Sequence, residues 1–206
     1  MIIDPKKQTY KENYKLMIGS ILPRPIAFVS SVSKDGRYNL APFSFFTGIT
    51  SDPPTICFCP TRRGTDGERK DTLSNIEATG EFVVNIVSEE IAEPMNDCAT
   101  EFPPEIDEFE QSGLTPIKAE VVKAPMVKES PIHFECKLYQ IIEIGKPQAG
   151  GGFLVIGEIV MFHVADELLE NGRIDTGKLR PIGRLAGAEY TKLGERFKLI
   201  RKPYKP

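Results

Sequence analysis

Residues 39–47, Asn-Leu-Ala-Pro-Phe-Ser-Phe-Phe-Thr, carry the pattern in this chain best suited to holding a ligand. The segment should be a strand returning from the hairpin turn at Lys34-Asp35-Gly36, where glycine supplies the positive φ such turns need. Pro42 interrupts the strand pattern and removes a ladder donor. Ala41, Ser44 and Thr47 are small or hydroxylated and lie among Phe43, Phe45 and Phe46. Such a segment leaves backbone N–H and C=O groups facing a flat aromatic ligand, although the same phenylalanines also suit ordinary core. The second candidate is the polar run 61–70 with the helix start that follows. Thr61, Thr65 and Thr72 offer hydroxyls, and Arg62, Arg63, Arg69 and Lys70 offer charge. A helix beginning at Asp71 adds free N–H groups and a positive dipole end. A phosphate monoester needs this mixture of charge and short donors. Taken alone, the run also reads as a solvated basic loop.

Other residues are less distinctive. Arg24 precedes Pro25 at the start of the first strand, and Arg184 lies in Arg-Leu-Ala-Gly-Ala-Glu-Tyr within a loop-like tail. Either can pair with phosphate, with a carboxylate or with solvent. His133 opens a strand, where histidine serves structure or a ligand contact. The cysteines, Cys57, Cys59, Cys98 and Cys136, form no C-x-x-C pair and read as buried reduced thiols. With only His133 and His163 available and no ligand cluster beside either, a metal site is not expected. There is no G-x-G-x-x-G fingerprint, no P-loop and no G-x-S-x-G elbow.

The positioning elements follow from periodicity. Tyr10, Tyr14, Met17 and Ile18 recur at helical spacing, so 9–19 is expected to be an amphipathic helix stopped by Gly19 and Pro23. Strands are expected near 26–33, 38–49 and 55–60, with Asp52-Pro53-Pro54 turning the chain between the last two. Asp71 or Thr72 should cap a short helix through about Ala78. A strand spans Phe82 to Val87, and Ser88 caps a helix containing Ile91 and Met95. Residues 99–117, with Pro103-Pro104 and an acidic run, read as a surface excursion with one helical turn. Strands resume at 118–127, 132–144 and 153–164. Asp166 to Asn171 reads as a helical turn, and 179–206 has little regular pattern. Many strands with few short peripheral helices favour a mainly β, closed-barrel fold over a doubly wound sheet.

Composition narrows the classes. A chain of 206 residues suits one domain, 1–206. A net charge of −3 argues against a nucleic-acid surface. No apolar run approaches a membrane span, and residues 1–20 lack the apolar core of a signal peptide, so a cytoplasmic location is expected.

The order of several fragments resembles the flavin reductase-like family, whose members are FMN-binding split β-barrels that include flavoredoxin. These fragments are Arg24-Pro25-Ile26-Ala27, Asn39-Leu40-Ala41-Pro42-Phe43-Ser44, Asp52-Pro53-Pro54 and Lys70-Asp71-Thr72-Leu73-Ser74-Asn75-Ile76. Further fragments are Gly80-Glu81-Phe82-Val83-Val84-Asn85, Phe134-Glu135-Cys136-Lys137-Leu138, Val155-Ile156-Gly157-Glu158-Ile159 and Arg184-Leu185-Ala186-Gly187-Ala188-Glu189-Tyr190. The resemblance covers most of the chain. It implies that the loop and helix of Thr61, Arg62, Arg63, Lys70, Asp71, Thr72 and Asn75 hold the FMN phosphate and ribityl chain. It places the isoalloxazine ring along Asn39, Leu40, Ala41, Pro42, Ser44, Phe45 and Phe46, with Arg24, His133 and Arg184 near the flavin. It further implies a homodimer, hydride transfer from NADH or NADPH, and electron delivery to free flavin or to an acceptor protein such as a monooxygenase. Short-chain reductases of this family often carry a Gly-Asp-His signature where this chain reads Ala149-Gly150-Gly151-Gly152-Phe153. That departure favours the alternative of an FMN electron carrier without efficient NAD(P)H activity. A barrel that binds no flavin and acts as an interaction module is a third reading, opposed by the phosphate-suited loop.

Overall fold

The computed structural model describes residues 1–204. Its frame is a seven-stranded antiparallel sheet. The strands are β1 (Ala27–Val32), β2 (Tyr38–Phe43), β3 (Phe46–Ser51), β4 (Pro54–Phe58) and β5 (Glu81–Ile86), then two short strands, β6 (Pro116–Ile117) and β7 (Met126–Val127), and finally β8 (Ile132–Ile144) and β9 (Gly152–Val164). In space the sheet runs β2-β1-β5-β8-β9-β4-β3, and β6 pairs with β7 outside it. The sheet curls until its edges face each other. Phe43 on β2 meets Phe58 on β4 with ring centroids 5.1 Å apart, and Phe58 meets Phe82 at 5.6 Å. These rings share one core with Val29, Val84 and Val155. Gly157 is needed there because a Cβ would collide with the Phe82 ring. The mainly β split barrel expected from the sequence is the fold observed.

β1 is buried along its whole length because both faces are covered. Ala27 and Val29 face the barrel. Phe28 faces a second core with Leu40, Met95 and Phe109. Met95 comes from α3 (Ala92–Asp97) and Phe109 from α4 (Glu108–Ser112). The turn at Ser33–Arg37 forms as expected, with Gly36 at φ +84°. The two long strands near 132–144 and 153–164 are present.

Several expectations need correction. The strand expected over 38–49 is two strands, because the chain leaves the sheet at Ser44–Phe45. No strand spans 118–127; only Met126–Val127 pairs, with Pro116–Ile117. The intervening N–H groups turn inward instead. Fully buried Glu135 accepts hydrogen bonds from Glu120, Val121 and Val122 at 2.9, 2.7 and 2.9 Å. His163 Nε2 donates to the same carboxylate at 2.6 Å. Asn85 Oδ1 takes the Val127 N–H at 2.9 Å. The helix expected over 9–19 is α1 (Tyr10–Ser20), opened by a Thr9–Glu12 capping box, but it buries only Ile18. Tyr10, Tyr14 and Met17 stay between 44% and 49% exposed. Ser88 makes no side-chain cap; it precedes a 3-10 turn, Glu89–Ile91, that leads into α3. Asp166–Leu168 is a single 3-10 turn followed by a small hairpin. The tail contains a hairpin of Ile182–Arg184 with Tyr190–Lys192. Cys57 and Cys59 are half-buried rather than buried, and all four cysteines are free. No helix among the described residues is long and apolar enough to cross a membrane.

Glu135 gathers more of the fold than any other side chain. Burial pushes its carboxyl up, but the Glu120 N–H, His163 and the N–H groups of Val121 and Val122 outweigh burial and hold it below its usual 4.5. Its stabilisation is therefore present above that value and lost as pH falls through the depressed one. Glu135→Ala should cost about 3–5 kcal/mol, because it leaves three inward N–H groups without their acceptor. Urea unfolding at neutral pH measures this, and an unchanged midpoint would show that the strap 118–127 is held by other contacts.

Candidate functional site

The outer edge of β2 is where the two sequence candidates meet. Helix α2 (Asp71–Thr79) packs its Leu73 and Ile76 into the barrel core, which sets its first turn beside β2. Thr72 is buried, and its hydroxyl donates to Asn39 Oδ1 at 2.6 Å. Asn39 Nδ2 donates to Glu108 Oε1 at 2.8 Å, and the Leu40 N–H to Glu108 Oε2 at 3.1 Å. Asn75 Nδ2 donates to Ser31 Oγ at 3.1 Å. This network ties α2, β1, β2 and α4 together. Burial raises the Glu108 carboxyl, while the Leu40 N–H and Asn39 pull against the shift. The expected cap is corrected here: Lys70 occupies the N-cap position without a side-chain bond, Asp71 is the first helical residue, and the Thr72 hydroxyl points at Asn39.

Asn39, Ala41, Pro42, Arg63, Lys70, Asp71 and Thr72 line one groove. Its remaining wall comes from Phe43 and Cys98 and from 99–102 and Glu108, the last two in the segment 99–117 expected to be a surface excursion. The cations are held by carboxylates. Arg63 bonds Asp71 at 2.9 Å. Lys70 Nζ lies 3.5 Å from Glu101, and the Thr65 hydroxyl donates to the same carboxylate at 3.1 Å. The Glu101 carboxylate therefore lies between a lysine and a threonine hydroxyl. The groove holds about 70 Å³, so a nucleotide phosphate would enter by replacing the Glu101 carboxylate. Glu101 and Glu108 were missed in the sequence. The signal available was the length of the excursion, since long irregular segments in compact folds tend to serve a site.

The segment continues into a second cleft. Ser44, Phe45 and Phe46 line it together with Arg24. Arg24 is 3% exposed. Its Nε donates to Ser44 Oγ at 3.2 Å, Nη1 to the carbonyls of Ile18 and Ile21 at 2.8 and 3.0 Å, and Nη2 to the Leu185 carbonyl at 2.9 Å. Among the described residues no hydrogen bond engages the backbone N–H of Ser44 or Phe45. Two free donors thus sit where β2 ends, beside a proline with no N–H.

Other candidates are placed elsewhere. The Leu40 side chain is core. Thr61 bridges to Gly152. Arg62 and Arg69 flank the Phe153 ring at 5.1 and 4.9 Å. Arg62 also bonds Glu143 at 2.6 Å, and its buried Nε has no partner. Arg184 stacks over Tyr190 at 4.3 Å in a separate groove, although its backbone bridges to that of Arg24. His133 is buried, with Nδ1 2.9 Å from Asn85 Oδ1. Burial, then His163, drives its pKa down to about 4, so the ring is neutral at pH 7. The structure does not bring His133 to the groove.

The donor set fits a phosphate-bearing flavin. Cations, a hydroxyl and a helix start lie at one end, and free backbone donors beside aromatic rings lie at the other. Comparison with known proteins agrees. A family model described as flavin reductase like domain matches residues 18–182. Nitrilotriacetate monooxygenase component B from Bacillus cereus is 47% identical with a TM-score of 0.92, over 97% of this chain and 98% of that one. The 2-nitrobenzoate 2-nitroreductase of Pseudomonas fluorescens is 35% identical with a TM-score of 0.88, over 100% and 98%. Flavoredoxin of Desulfovibrio vulgaris (Miyazaki F) is 28% identical with a TM-score of 0.73, over 87% and 91%. With the family model spanning most of the chain and the same barrel in a protein 47% identical, the chain belongs to the flavin reductase-like domain family.

Proposed function

We propose that this chain is an FMN-dependent oxidoreductase that takes hydride from NADH or NADPH and delivers electrons to a flavin or protein acceptor. The observation that carries the reading is the single groove shared by Asn39, Ala41, Pro42, Arg63 and Lys70 to Thr72, with the Glu101 carboxylate already held between Lys70 and Thr65. Lys70, Arg63 and Thr65 would hold the phosphate, and the first turn of α2 would add its dipole. The N–H groups of Ser44 and Phe45 would meet the ring edge, and Phe45 and Phe46 would exclude water beside it. When bound, FMN supplies hydride and electron-transfer chemistry at its ring, so no side-chain acid or base is required. The likeness to a monooxygenase component B supports a monooxygenase as acceptor. The exposed Tyr10, Tyr14, Leu16 and Met17 of α1 support a homodimer that covers this face.

A second reading, an FMN electron carrier, is favoured by one feature. The loop 146–152 has no histidine, and its Gly150 lies so close to Tyr10 that a Cβ would meet the ring at 2.8 Å. The likeness to flavoredoxin points the same way. Anaerobic addition of NADH or NADPH to the FMN-loaded protein separates the two, because a reductase bleaches rapidly and a carrier does not.

Binding measurements test the groove. Charge-assisted contacts are worth about 1.5–3 kcal/mol each, so FMN should bind more than about tenfold tighter than riboflavin. Lys70→Ala should weaken FMN by about tenfold and leave riboflavin unchanged. Glu101→Gln should tighten FMN several-fold by removing the competing anion. Equal affinities for the two flavins, or a Glu101→Gln variant that binds FMN more weakly, would place the phosphate elsewhere.

The ring edge has its own test. Ser44→Pro deletes the N–H and fixes φ, whereas Ser44→Ala removes only the hydroxyl. With both variants shown to be folded by circular dichroism, the proline variant should lose FMN and the alanine variant should keep it. Retention by both at wild-type affinity would move the ring to another strand.

A further inference from the structure

The hairpin of Ile182–Arg184 with Tyr190–Lys192 presents an unpaired sheet edge. Its first strand is bonded on both sides. The Arg184 N–H donates to the Arg24 carbonyl at 2.9 Å, and the Arg184 carbonyl accepts from the Arg24 N–H at 3.0 Å. The Ile182 N–H donates to the Val87 carbonyl at 3.4 Å. In an antiparallel pair, residues opposite such outward-facing groups turn their own backbone outward on the other strand. Those residues are Tyr190, opposite Arg184, and Lys192, opposite Ile182. Among the described residues no backbone carbonyl outside the hairpin accepts from the N–H of either. An open edge of this kind is a template for one further strand.

A groove of about 580 Å³ runs along the same edge. Ala92, Ile182 and Ala188 give it an apolar lining, and α3 contributes Glu93 and Asp97. Glu89, also in the groove, is taken by Arg180 at 2.8 Å and Lys192 at 2.9 Å. Glu93 and Asp97 are exposed, and no cation among the described residues pairs with them. Backbone donors, apolar surface and two uncompensated carboxylates together suit an extended, apolar, cationic segment.

The chain contains such a segment. Residues 193–204 follow the hairpin, form no helix or strand and make no backbone–backbone hydrogen bond. Phe197, Leu199 and Ile200 are 80% to 92% exposed. On a strand, Phe197 and Leu199 share one face. Arg196, Lys198, Arg201 and Lys202 stand against the single carboxylate of Glu195. In its own copy the segment is fastened through Arg196, which donates to Thr176 Oγ1 at 2.8 Å, and it does not turn back along Tyr190–Lys192. Fully extended, it reaches about 40 Å.

We propose that residues 196–202 of a second copy of this chain add as a strand to the Tyr190–Lys192 edge. Phe197 and Leu199 then cover Ala92, Ile182 and Ala188, and the cations meet Glu93 and Asp97. In a two-fold pair the exchange is reciprocal, each segment lying in the other copy's groove. Charge favours a second copy over a lipid surface. The chain has a net charge of −3 despite these cations, so an anionic membrane repels the rest of the molecule, whereas the groove offers its carboxylates to the segment alone. The inference does not rest on the flavin reading, and it is distinct from any contact made through α1.

Hydrogen–deuterium exchange of the full chain, read by mass spectrometry, tests the docking. Exchange at 190–192 and 196–202 should slow about tenfold from low-micromolar to near-millimolar chain, as a contact governed by mass action requires. Phe197→Ser with Leu199→Ser should abolish the slowing in both segments, and so should Glu93→Lys with Asp97→Lys. All four side chains are exposed, so these changes leave the core intact. An equal mixture of the two double variants, one of them isotopically labelled, decides whether the contact lies between copies. The first keeps its groove and the second keeps its segment. Slowing should therefore return at 190–192 of the first and at 196–202 of the second, whereas docking within one copy restores nothing. Exchange that does not depend on concentration, slowing that survives in either double variant, or no return in the mixture would each overturn the proposal. Protection of 196–202 that appears only with phosphatidylglycerol vesicles would overturn it in favour of a membrane surface.

Discussion

The two edges of the sheet face each other across Ser44 and Phe45 without forming a ladder, and the rest of the structure follows from that gap. A continuous strand over 38–49 would have closed the barrel with backbone hydrogen bonds. Pro42 cannot donate, and the chain leaves the sheet two residues later, so β2 and β3 end as opposite edges. Unpaired edges expose N–H and C=O groups that must find partners. Part of the β2 edge is covered by protein, since Glu108 takes the Leu40 N–H. The next donors, at Ser44 and Phe45, are left open beside aromatic rings. A flat ligand with acceptors on its rim would meet that requirement, which is why the proposed site is put at the break in the barrel.

Electrostatics near the break divide into two regimes. On the α2 side, cations are neutralised by exchangeable carboxylates: Lys70 by Glu101, and Arg63 by Asp71. These pairs are partly exposed and individually weak, so an incoming phosphate with more charge can take their place. On the α1 side, Arg24 is buried and held by neutral oxygens. Its hydrogen bonds fasten the end of α1, the Leu185 loop and Ser44 to one another. One arginine thus sets the position of Ser44 at the end of β2.

Strong local signals were legible in the sequence, and features fixed by distant side chains were not. The strands Ile132–Ile144 and Gly152–Val164 are long, alternating and rich in β-branched residues, and they appear as read. The segment 118–127 has similar residues, yet its N–H groups go to Glu135, whose burial no local pattern announces. The spacing of Tyr10, Tyr14 and Met17 correctly gave a helix but not its burial, because the barrel core is already filled from β strands and α2. In the site, residue types pointed to 39–46 and 61–72. Only Asn39, Ala41, Pro42, Arg63 and Lys70 to Thr72 meet in one groove, which depends on α2 docking against the barrel, and the contribution of 98–102 depends on a loop whose path the sequence leaves open. His133 shows the opposite case. Its type invited a functional role, and its surroundings bury it against Asn85 as a neutral ring.

The central claim is that the gap between the sheet edges reads a flavin through backbone donors while the start of α2 holds its phosphate. Backbone amide NMR of the labelled protein titrated with FMN tests both halves at once. The account predicts the largest shifts and slowed exchange at Ser44 and Phe45, with a second group of shifts at Lys70, Asp71 and Thr72. Shifts that cluster instead around Arg184 and Tyr190–Lys192, with Ser44 and Phe45 unmoved, would contradict it.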